Sequence, residues 1–388
     1  MAFLTGQFCD SFMPIADGVT NVVKNYAFWL QKKYGTCYVI TPDFPGYEDN
    51  EIFGVLRYYS VPVPTRKPYR SGFPFLDVGF HKRLKSIDFE LVHAHSPFRT
   101  GKMALKLARL KGIPIVASFH SKYYDDFKDA LKSDAVAKML TKLVVEFYNN
   151  VDYVWTVNKS TVDTLREYGF KGNVEVVENG IDFMDLSNYD KNPLCTENGN
   201  ADGLFRMLYV GQHVWHKNLK LLVNSLKIFK DSGKRFLMTM VGEGNAMGDL
   251  QQMVCNLGMK DNFIFTGRIN DREKLKAIYS NTDLLLFPSV YDTFSLVVRE
   301  AASVGCPSIV IENSNAAENV VDGFNGFLAK NDEKAFAQVI ISSVEDRAKL
   351  KIVGHNAFNT LFQCWESVID EVSERYLEII NVYNKIRA

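Results

Sequence analysis

The sequence predicts an α/β chain of two successive parallel-sheet halves, and three observations carry that prediction. The chain has 388 residues, 47% of them hydrophobic, enough for two separate cores. Short apolar runs of strand length alternate with amphipathic segments of helix length, the pattern of parallel sheets covered by helices. Between two such series lies Phe183–Gly203, low in apolar residues and rich in Asn and Asp. It reads as a linker (183–203) between domains at 1–182 and 204–364.

In the first series Ala2–Phe8 reads as a strand, followed by a loop through Phe12–Asn21 into a helix over Val19–Lys33. Gly18 sits at that turn. Without a side chain it lets backbone N–H groups approach a ligand closely, although a plain turn glycine fits the spacing as well. Tyr38–Thr41 is the next strand. Phe53–Phe80, rich in Tyr, Pro and Arg with weak periodicity, predicts short strands and a loop. Arg66, Lys67 and Arg70, with Lys82, Arg83 and Lys85, form the most basic local patch, either a solvated cationic face or a contact for anionic headgroups. Asp88–His95, then a helix over Gly101–Lys111, then Ile113–Phe119 place His95 and His120 on the same carboxyl edge of a sheet. Each is either a satisfied core histidine or part of a site. His93 and His95 form an H-x-H pair, but no third ligand accompanies it, so no metal is expected. Lys122–Asn149 reads as one amphipathic helix with a basic side. Val151–Val157, Ser160–Tyr168 and Val174–Val177 read as strand, helix and strand.

The second series starts at Phe205–Tyr209 and is organised around Pro288–Pro307. Asp283–Phe287 and Ser308–Ile311 are apolar runs of buried parallel strands. Between them Leu296–Val304 reads as a helix, with Ser295 at its N-cap, Gly305 just beyond and Pro307 as a stop. Helix-end N–H groups at a sheet's carboxyl edge favour an anion, and a phosphate is expected on Ser295, Leu296 and Val297. Asp292 before the helix and Glu300 within it bracket that spot with acceptors for sugar hydroxyls, which suggests a sugar nucleotide. Taken alone, the segment also fits an ordinary buried helix with a Ser cap and a solvated Glu. Trp365–Ile386 closes the chain as a long helix, within a last segment at 365–388.

An acid, seven residues, then a glutamate, with Phe294 two residues after the acid and Glu300-Ala301 followed by Gly305-Cys306-Pro307, resembles the donor site of retaining GT-B glycosyltransferases of family 4. Further phrases resemble that family in order: His93-Ala94-His95-Ser96-Pro97, Asn179-Gly180-Ile181-Asp182, Gly211 through Lys217-Asn218, Gly242-Glu243-Gly244, Thr266-Gly267-Arg268 and Glu318 to Phe327. The feel is nearest to diacylglycerol glucosyltransferase-like members. The resemblance implies two Rossmann-like domains facing a central cleft, the acceptor on the first, the donor mainly on the second, and the last helix crossing back to the first. It implies that Gly18 and Gly211 line the donor, that Lys217 neutralises the leaving diphosphate, that His120 lies beside the donor sugar and Asp292 holds it, and that Glu300 binds ribose hydroxyls. His95 is then an acceptor-side residue. Departures are visible: Asp292 stands where the family usually has Glu, Ser295 where it has Gly, Asp17 where many members have a second Gly, and Ser314-Asn315 where glycines precede the later Glu. Gln212 replaces an expected Arg, and Arg268 is the candidate replacement cation.

The implied reaction is retaining transfer of a hexosyl group from a nucleoside diphosphate sugar, a UDP-sugar favoured, to a lipid or glycan acceptor. The leaving phosphate helps deprotonate the acceptor, so no carboxylate nucleophile is assigned. The chain has no D-x-D pair, and neither a metal nor a further cofactor is expected. A phosphorylase, a sugar-nucleotide epimerase and a noncatalytic scaffold are the alternatives. Charges balance at 45 basic and 45 acidic residues, leaving no global field for nucleic acid. Six scattered cysteines without metal spacing fit reduced thiols of a cytosolic protein. No apolar run reaches membrane-span length, and the opening residues lack the pattern of a secretory signal. The expectation is a cytoplasmic protein, with peripheral contact at the inner face of a membrane if the acceptor is a lipid.

Overall fold

The computed structural model describes residues 3–15, 17–64, 67–181, 204–290, 292 and 295–387. The chain forms two compact units, Met1–Asn179 together with Trp365–Ala388, and Gly180–Cys364. The linker expected at 183–203 lies outside the described residues.

The first unit contains β1 (Thr5–Phe8), β2 (Cys37–Pro42), β3 (Gly54–Tyr58), β4 (Ser60–Pro62), β5 (Arg70–Gly72), β6 (Leu91–Ala94), β7 (Ile115–Phe119), β8 (Tyr153–Thr156) and β9 (Glu175–Val176). Seven of these pair in parallel in the order β3-β2-β1-β6-β7-β8-β9, while β4 and β5 form a separate antiparallel pair. Residues of β1, β6 and β7 are buried throughout, which is why they read as continuous apolar runs rather than alternating ones. Their side chains still alternate between two cores. Phe8, Val92, Ala94, Ile115 and Ala117 face one. Leu91 and Val116 face the other, shared with Val22, Val23, Tyr26 and Leu30 of the helix Gly18–Lys33 and with Val368, Ile369, Val372 and Tyr376 of the helix Trp365–Arg387. Those three-and-four spacings are the apolar stripes that dock both helices on this sheet.

The second unit contains β10 (Phe205–Val210), β11 (Phe236–Val241), β12 (Phe263–Gly267), β13 (Leu284–Phe287), β14 (Ser308–Ile311) and β15 (Phe327–Ala329). They form one parallel sheet in the order β12-β11-β10-β13-β14-β15. Both sheets wind outward in opposite directions from a central pair, β1 with β6 and β10 with β13. At such a switch point the two carboxyl-end loops leave on opposite faces and open a crevice for ligands. The loops at issue are those after β1 and β6 in the first unit and those after β10 and β13 in the second.

One helical expectation is corrected. Lys122–Asn149 is two helices, Tyr123–Leu131 and Asp134–Asn149. Lys132 between them is left-handed at φ 53° and closes its N–H on the Lys128 carbonyl at 2.8 Å. Ser133 is extended at the next N-cap position, and Ser-Asp favours that conformation over helix interior. Within Phe53–Phe80, β3 joins the main sheet, and the helix Val78–Ser86 begins where Asp77 accepts the Phe80 N–H at 2.8 Å.

Candidate functional site

In the second unit the chain leaves β10 through Gly211 and turns back at Trp215–Lys217. The loop is stitched to its neighbours by backbone bonds, Gly211 N–H to Val241 O at 3.0 Å, Gly242 N–H to Gly267 O at 2.9 Å and His213 N–H to Glu243 O at 2.9 Å. Gly242 has φ 132°, and a Cβ there would lie 1.9 Å from the Gly211 carbonyl oxygen, so only glycine lets these loops close up. Asn218 then adopts φ 61° and donates its side-chain amide to Pro288 O at 3.1 Å and Asn331 Oδ1 at 2.8 Å. That clamp joins the β10 loop to the end of β13. The consequence is the contact between Lys217 Nζ and Asp292 Oδ1 at 2.6 Å, with both side chains largely shielded.

The helix Leu296–Ser303 starts beside this pair. Ser295 occupies its N-cap, but its hydroxyl makes no capping bond. The expected cap is borne out by position, with Ser295 at φ −77° and ψ 78°, but without the side-chain bond. The Val298 and Arg299 N–H groups close on the Ser295 carbonyl, whereas those of Leu296 and Val297 make no hydrogen bond among the described residues. Buried Ser295 Oγ and Asp292 Oδ2 likewise lack a partner among the described residues. Buried polar groups are rarely left so, and together they form a polar spot able to take an anion and a hydroxyl.

Glu300 does not point into solvent. It is 8% exposed, with Oε1 3.0 Å from Arg272 Nη1 and Oε2 accepting the Tyr279 hydroxyl at 2.9 Å. Each carboxylate oxygen keeps a second lone pair as acceptor capacity. Of the other donor-side residues, Gly211 begins the β10 loop and Gln212 is exposed, its backbone carbonyl accepting the Tyr209 hydroxyl at 3.0 Å. Arg268 follows the edge strand β12, two strands out from β10, or roughly 10 Å. Phe294 lies outside the described residues. Ser314 turns its hydroxyl to the Ile311 carbonyl at 2.6 Å, and buried Asn315 Nδ2 has no partner among the described residues.

In the first unit His95 and His120 do meet. His95 Nδ1 is 3.1 Å from His120 Nε2, and His95 Nε2 is 2.8 Å from Gln7 Oε1. His93 stacks beneath at 4.1 Å between ring centroids, with its nitrogens on the Tyr376 hydroxyl at 2.5 Å and the Ser118 hydroxyl at 2.8 Å. Burial holds His93 and His95 well below the usual imidazole range and brings His120 down to about 4, so all three are neutral near pH 7. Gly18 is the first residue of its helix, and Asp17 Oδ1 accepts the Thr20 N–H at 2.8 Å. The carboxylate therefore occupies the helix end beside Gly18.

Sequence reasoning missed several partners. Asp10, at the end of β1, accepts Ser96 Oγ at 2.5 Å, Thr100 Oγ1 at 2.6 Å and Thr100 N–H at 3.1 Å. Burial raises its carboxyl above the ordinary value against those hydrogen bonds. Its signal was position, an acid two residues after a buried strand. Arg272 and Tyr279 carry no local signal, since only the fold brings them to Glu300. Asn218 directly follows Lys217, but its amide clamp to Pro288 and Asn331 has no local sequence signal.

Residues 16–184 match the family described as Glycosyltransferase Family 4, and residues 193–360 match Glycosyl transferases group 1. The alpha-monoglucosyldiacylglycerol synthase of Streptococcus pneumoniae is 26% identical over 83% of this chain and 74% of its own length. The GDP-mannose-dependent alpha-mannosyltransferase of Corynebacterium glutamicum is 22% identical over 97% of this chain and 89% of its own. An Escherichia coli UDP-Gal:alpha-D-GlcNAc-diphosphoundecaprenol alpha-1,3-galactosyltransferase is 24% identical over 78% of this chain and 79% of its own. Among solved structures, sucrose-phosphate synthase from Thermosynechococcus elongatus has a TM-score of 0.78 at 18% identity, covering 98% of this chain and all of that one. Anabaena HepE in complex with UDP has a TM-score of 0.75 at 16% identity, covering 97% and 100%. With both units accounted for by family matches and by shared architecture, the chain belongs to the GT-B glycosyltransferases of family 4.

Proposed function

We propose that the chain transfers a hexosyl group, with retention at the anomeric carbon, from a nucleoside diphosphate sugar to a lipid or glycan acceptor, and that UDP-sugars are its preferred donors. The observation that carries this reading is the pairing of Lys217 with Asp292 beside two amides and two buried oxygens that have no partner among the described residues. Lys217 and the Leu296 and Val297 amides hold the diphosphate and stabilise it as it leaves. Asp292 Oδ2 accepts a hydroxyl of the donor sugar, and Glu300 accepts ribose hydroxyls. No resident cofactor or metal is assigned. Retention is supported by relatives that bear alpha-product names and use UDP-Gal or GDP-mannose, nucleotides in which the sugar is itself α-linked.

A lipid acceptor is supported by the named diacylglycerol and diphosphoundecaprenol relatives and by the surface of the first unit. Phe75, Leu76 and Val78 are 67%, 60% and 81% exposed, a cluster of apolar side chains rarely left in water without a reason. Lys82, Arg83 and Lys85 follow on the helix Val78–Ser86 and are also exposed. Of the other expected basic residues, Arg70 turns inward to Ser60 Oγ at 2.7 Å, and Arg66 lies outside the described residues. We assign this face to peripheral contact with an anionic membrane.

The test is calorimetric titration with UDP-glucose, UDP-galactose and GDP-mannose, then transfer to diacylglycerol or short glycans with the product's anomeric configuration read by NMR. Binding of one nucleotide sugar and an α product support the reading. An inverted product removes retention. Turnover of the donor without acceptor, or only with inorganic phosphate, replaces the transferase by an epimerase or a phosphorylase.

A further inference from the structure

We propose that Arg99 receives a phosphate of the acceptor, and that the acceptor is therefore a lipid whose sugar-accepting headgroup is joined to its apolar chain through a phosphate. The proposal rests on the reading above and narrows its lipid or glycan acceptor to one chemical class.

Arg99 opens the helix Arg99–Lys111 on the loop that leaves β6, one of the two loops that bound the crevice of the first unit. The residue is exposed, yet its side chain is held at two points. Nη1 donates to the Gly72 carbonyl at 2.7 Å, and the guanidinium carbon lies 4.1 Å from the centre of the Phe73 ring. Neither partner carries a charge. Nε and Nη2 have no partner among the described residues, and these two nitrogens form the edge that fits two oxygens of one anion. The Asp10 carboxylate does not fill that edge. Its Oδ1 is taken by Thr100 at 2.6 and 3.1 Å, and its Oδ2 by the Ser96 hydroxyl.

A second guanidinium is fixed on the same hairpin. Arg70 of β5 donates Nε to Ser60 Oγ at 2.7 Å and Nη2 to Ser60 O at 2.9 Å, and it pairs with no acid among the described residues. Ser60 and Gly72 are cross-strand partners of β4 and β5, so both cationic heads anchor on one rung. Groups ordered before a ligand arrives bind it without the entropy cost of fixing them, and two such charges favour a phosphate or diphosphate over a single carboxylate. The apolar part of the ligand follows from the same contacts. Phe75 meets Phe73 edge-on at 5.9 Å and is largely exposed beside Leu76 and Val78. The Arg99 guanidinium, Phe73 and Phe75 thus form one continuous row from the crevice to the exposed apolar cluster, an anion receptor followed by a rest for hydrocarbon. Diacylglycerol, which has no charge, and a free glycan, which has no chain, each leave half of that row unused.

The test is calorimetry on the full-length protein with monododecyl phosphate, dodecanoate, dodecyl glucoside and inorganic phosphate, each surfactant below its micellar concentration. Wild type is expected to bind dodecyl phosphate at least about tenfold more tightly than the other three. Arg99→Gln is expected to weaken that binding by roughly 10- to 100-fold. Arg99→Lys recovers part of it, because an ammonium lacks the two-pronged edge. Lys106→Gln, an exposed lysine lost from the same helix, is expected to stay within about twofold of wild type. Wild type that binds dodecyl glucoside or dodecanoate as tightly as dodecyl phosphate, or an Arg99→Gln variant that matches Lys106→Gln, overturns the proposal. Turnover is read separately with phosphatidylglycerol, a polyprenyl diphosphate sugar and diacylglycerol as acceptors. Preference for either of the first two supports the proposal and names the source of the phosphate, whereas preference for diacylglycerol overturns it and leaves the transferase reading intact. Wild-type protein inactive with every donor and acceptor pair overturns the transferase reading and the acceptor role with it, while the binding series alone decides the anion site.

Discussion

Lys217 and Asp292 stand 75 residues apart in the chain, yet Nζ and Oδ1 meet at 2.6 Å. The two loops that carry them follow β10 and β13, the neighbouring strands from which the second sheet winds in opposite directions. In this pairing one oxygen of the acid meets the lysine while the other, Oδ2, lacks a partner among the described residues.

Lys217→Ala strands a shielded carboxylate. It is expected to abolish nucleotide-sugar binding and to cost about 1–3 kcal/mol of stability. Lys217→Ala combined with Asp292→Asn is expected to recover most of that stability without recovering binding. Urea melts and calorimetry on the two variants read the two effects apart. Equal stability loss in both would mean that Asp292 has another partner.

Glu300 ties the helix Leu296–Ser303 to the helix Arg272–Ser280 through Arg272 and Tyr279. Glu300→Ala removes the carboxylate that accepts the buried Tyr279 hydroxyl, at a cost of about 1–3 kcal/mol. Arg272→Ala removes a half-exposed partner and is expected to cost under about 1 kcal/mol. If Glu300 serves ribose hydroxyls, Glu300→Gln is expected to weaken donor binding more than Arg272→Ala does, as measured by titration calorimetry. Equal losses would reduce Glu300 to a structural tie.

Most of the fold was legible because buried parallel strands announce themselves as apolar runs bounded by Gly and Pro, as Asp283–Phe287 and Ile113–Phe119 do. The break at Lys132 was not, since a single left-handed lysine carries no compositional mark and the amphipathic period continues across it. Sequence order alone placed Asp292 beyond β13 in the second unit and His120 at the end of β7 in the first. It could not supply Arg272 for Glu300 or Gln7 for His95, because those pairings depend on which strands and helices become neighbours. Ser295 does stand at the N-cap, as its residue type suggests, but its hydroxyl makes no capping bond, which residue type alone does not decide.

The depressed imidazoles give stability a pH dependence with a definite sign. Unfolded His120 takes a proton near 6.5, whereas in the fold burial delays this to about 4. Between those values the unfolded chain binds more protons, so stability is whole above about 6.5 and is lost as pH falls toward 4. His93 and His95 act in the same direction, while the raised Asp10 carboxyl opposes them as pH falls. The difference between wild type and His120→Gln isolates one group. Wild type is expected to lose about 2 kcal/mol more than the variant between pH 7.5 and 5.0, measured by urea unfolding. Parallel curves would mean that His120 is as accessible to protons in the fold as in the unfolded chain.

The exposed Phe75, Leu76 and Val78 bear on the acceptor. On the helix Val78–Ser86, Phe80 and Leu84 turn inward, and spacings of four and seven put Val78, Lys82 and Lys85 along one outer stripe. Three apolar side chains entering a bilayer interface by about half their area contribute about 1 kcal/mol each, and flanking lysines add attraction that salt screens. Wild type is therefore expected to co-sediment with vesicles containing anionic lipid, and less so in high salt. Phe75→Ser, Leu76→Ser and Val78→Ser together are expected to weaken that binding by about 100-fold, with little change in melting temperature because these side chains are already in water. Wild-type protein that ignores such vesicles at low salt would remove the membrane contact and favour a soluble glycan acceptor.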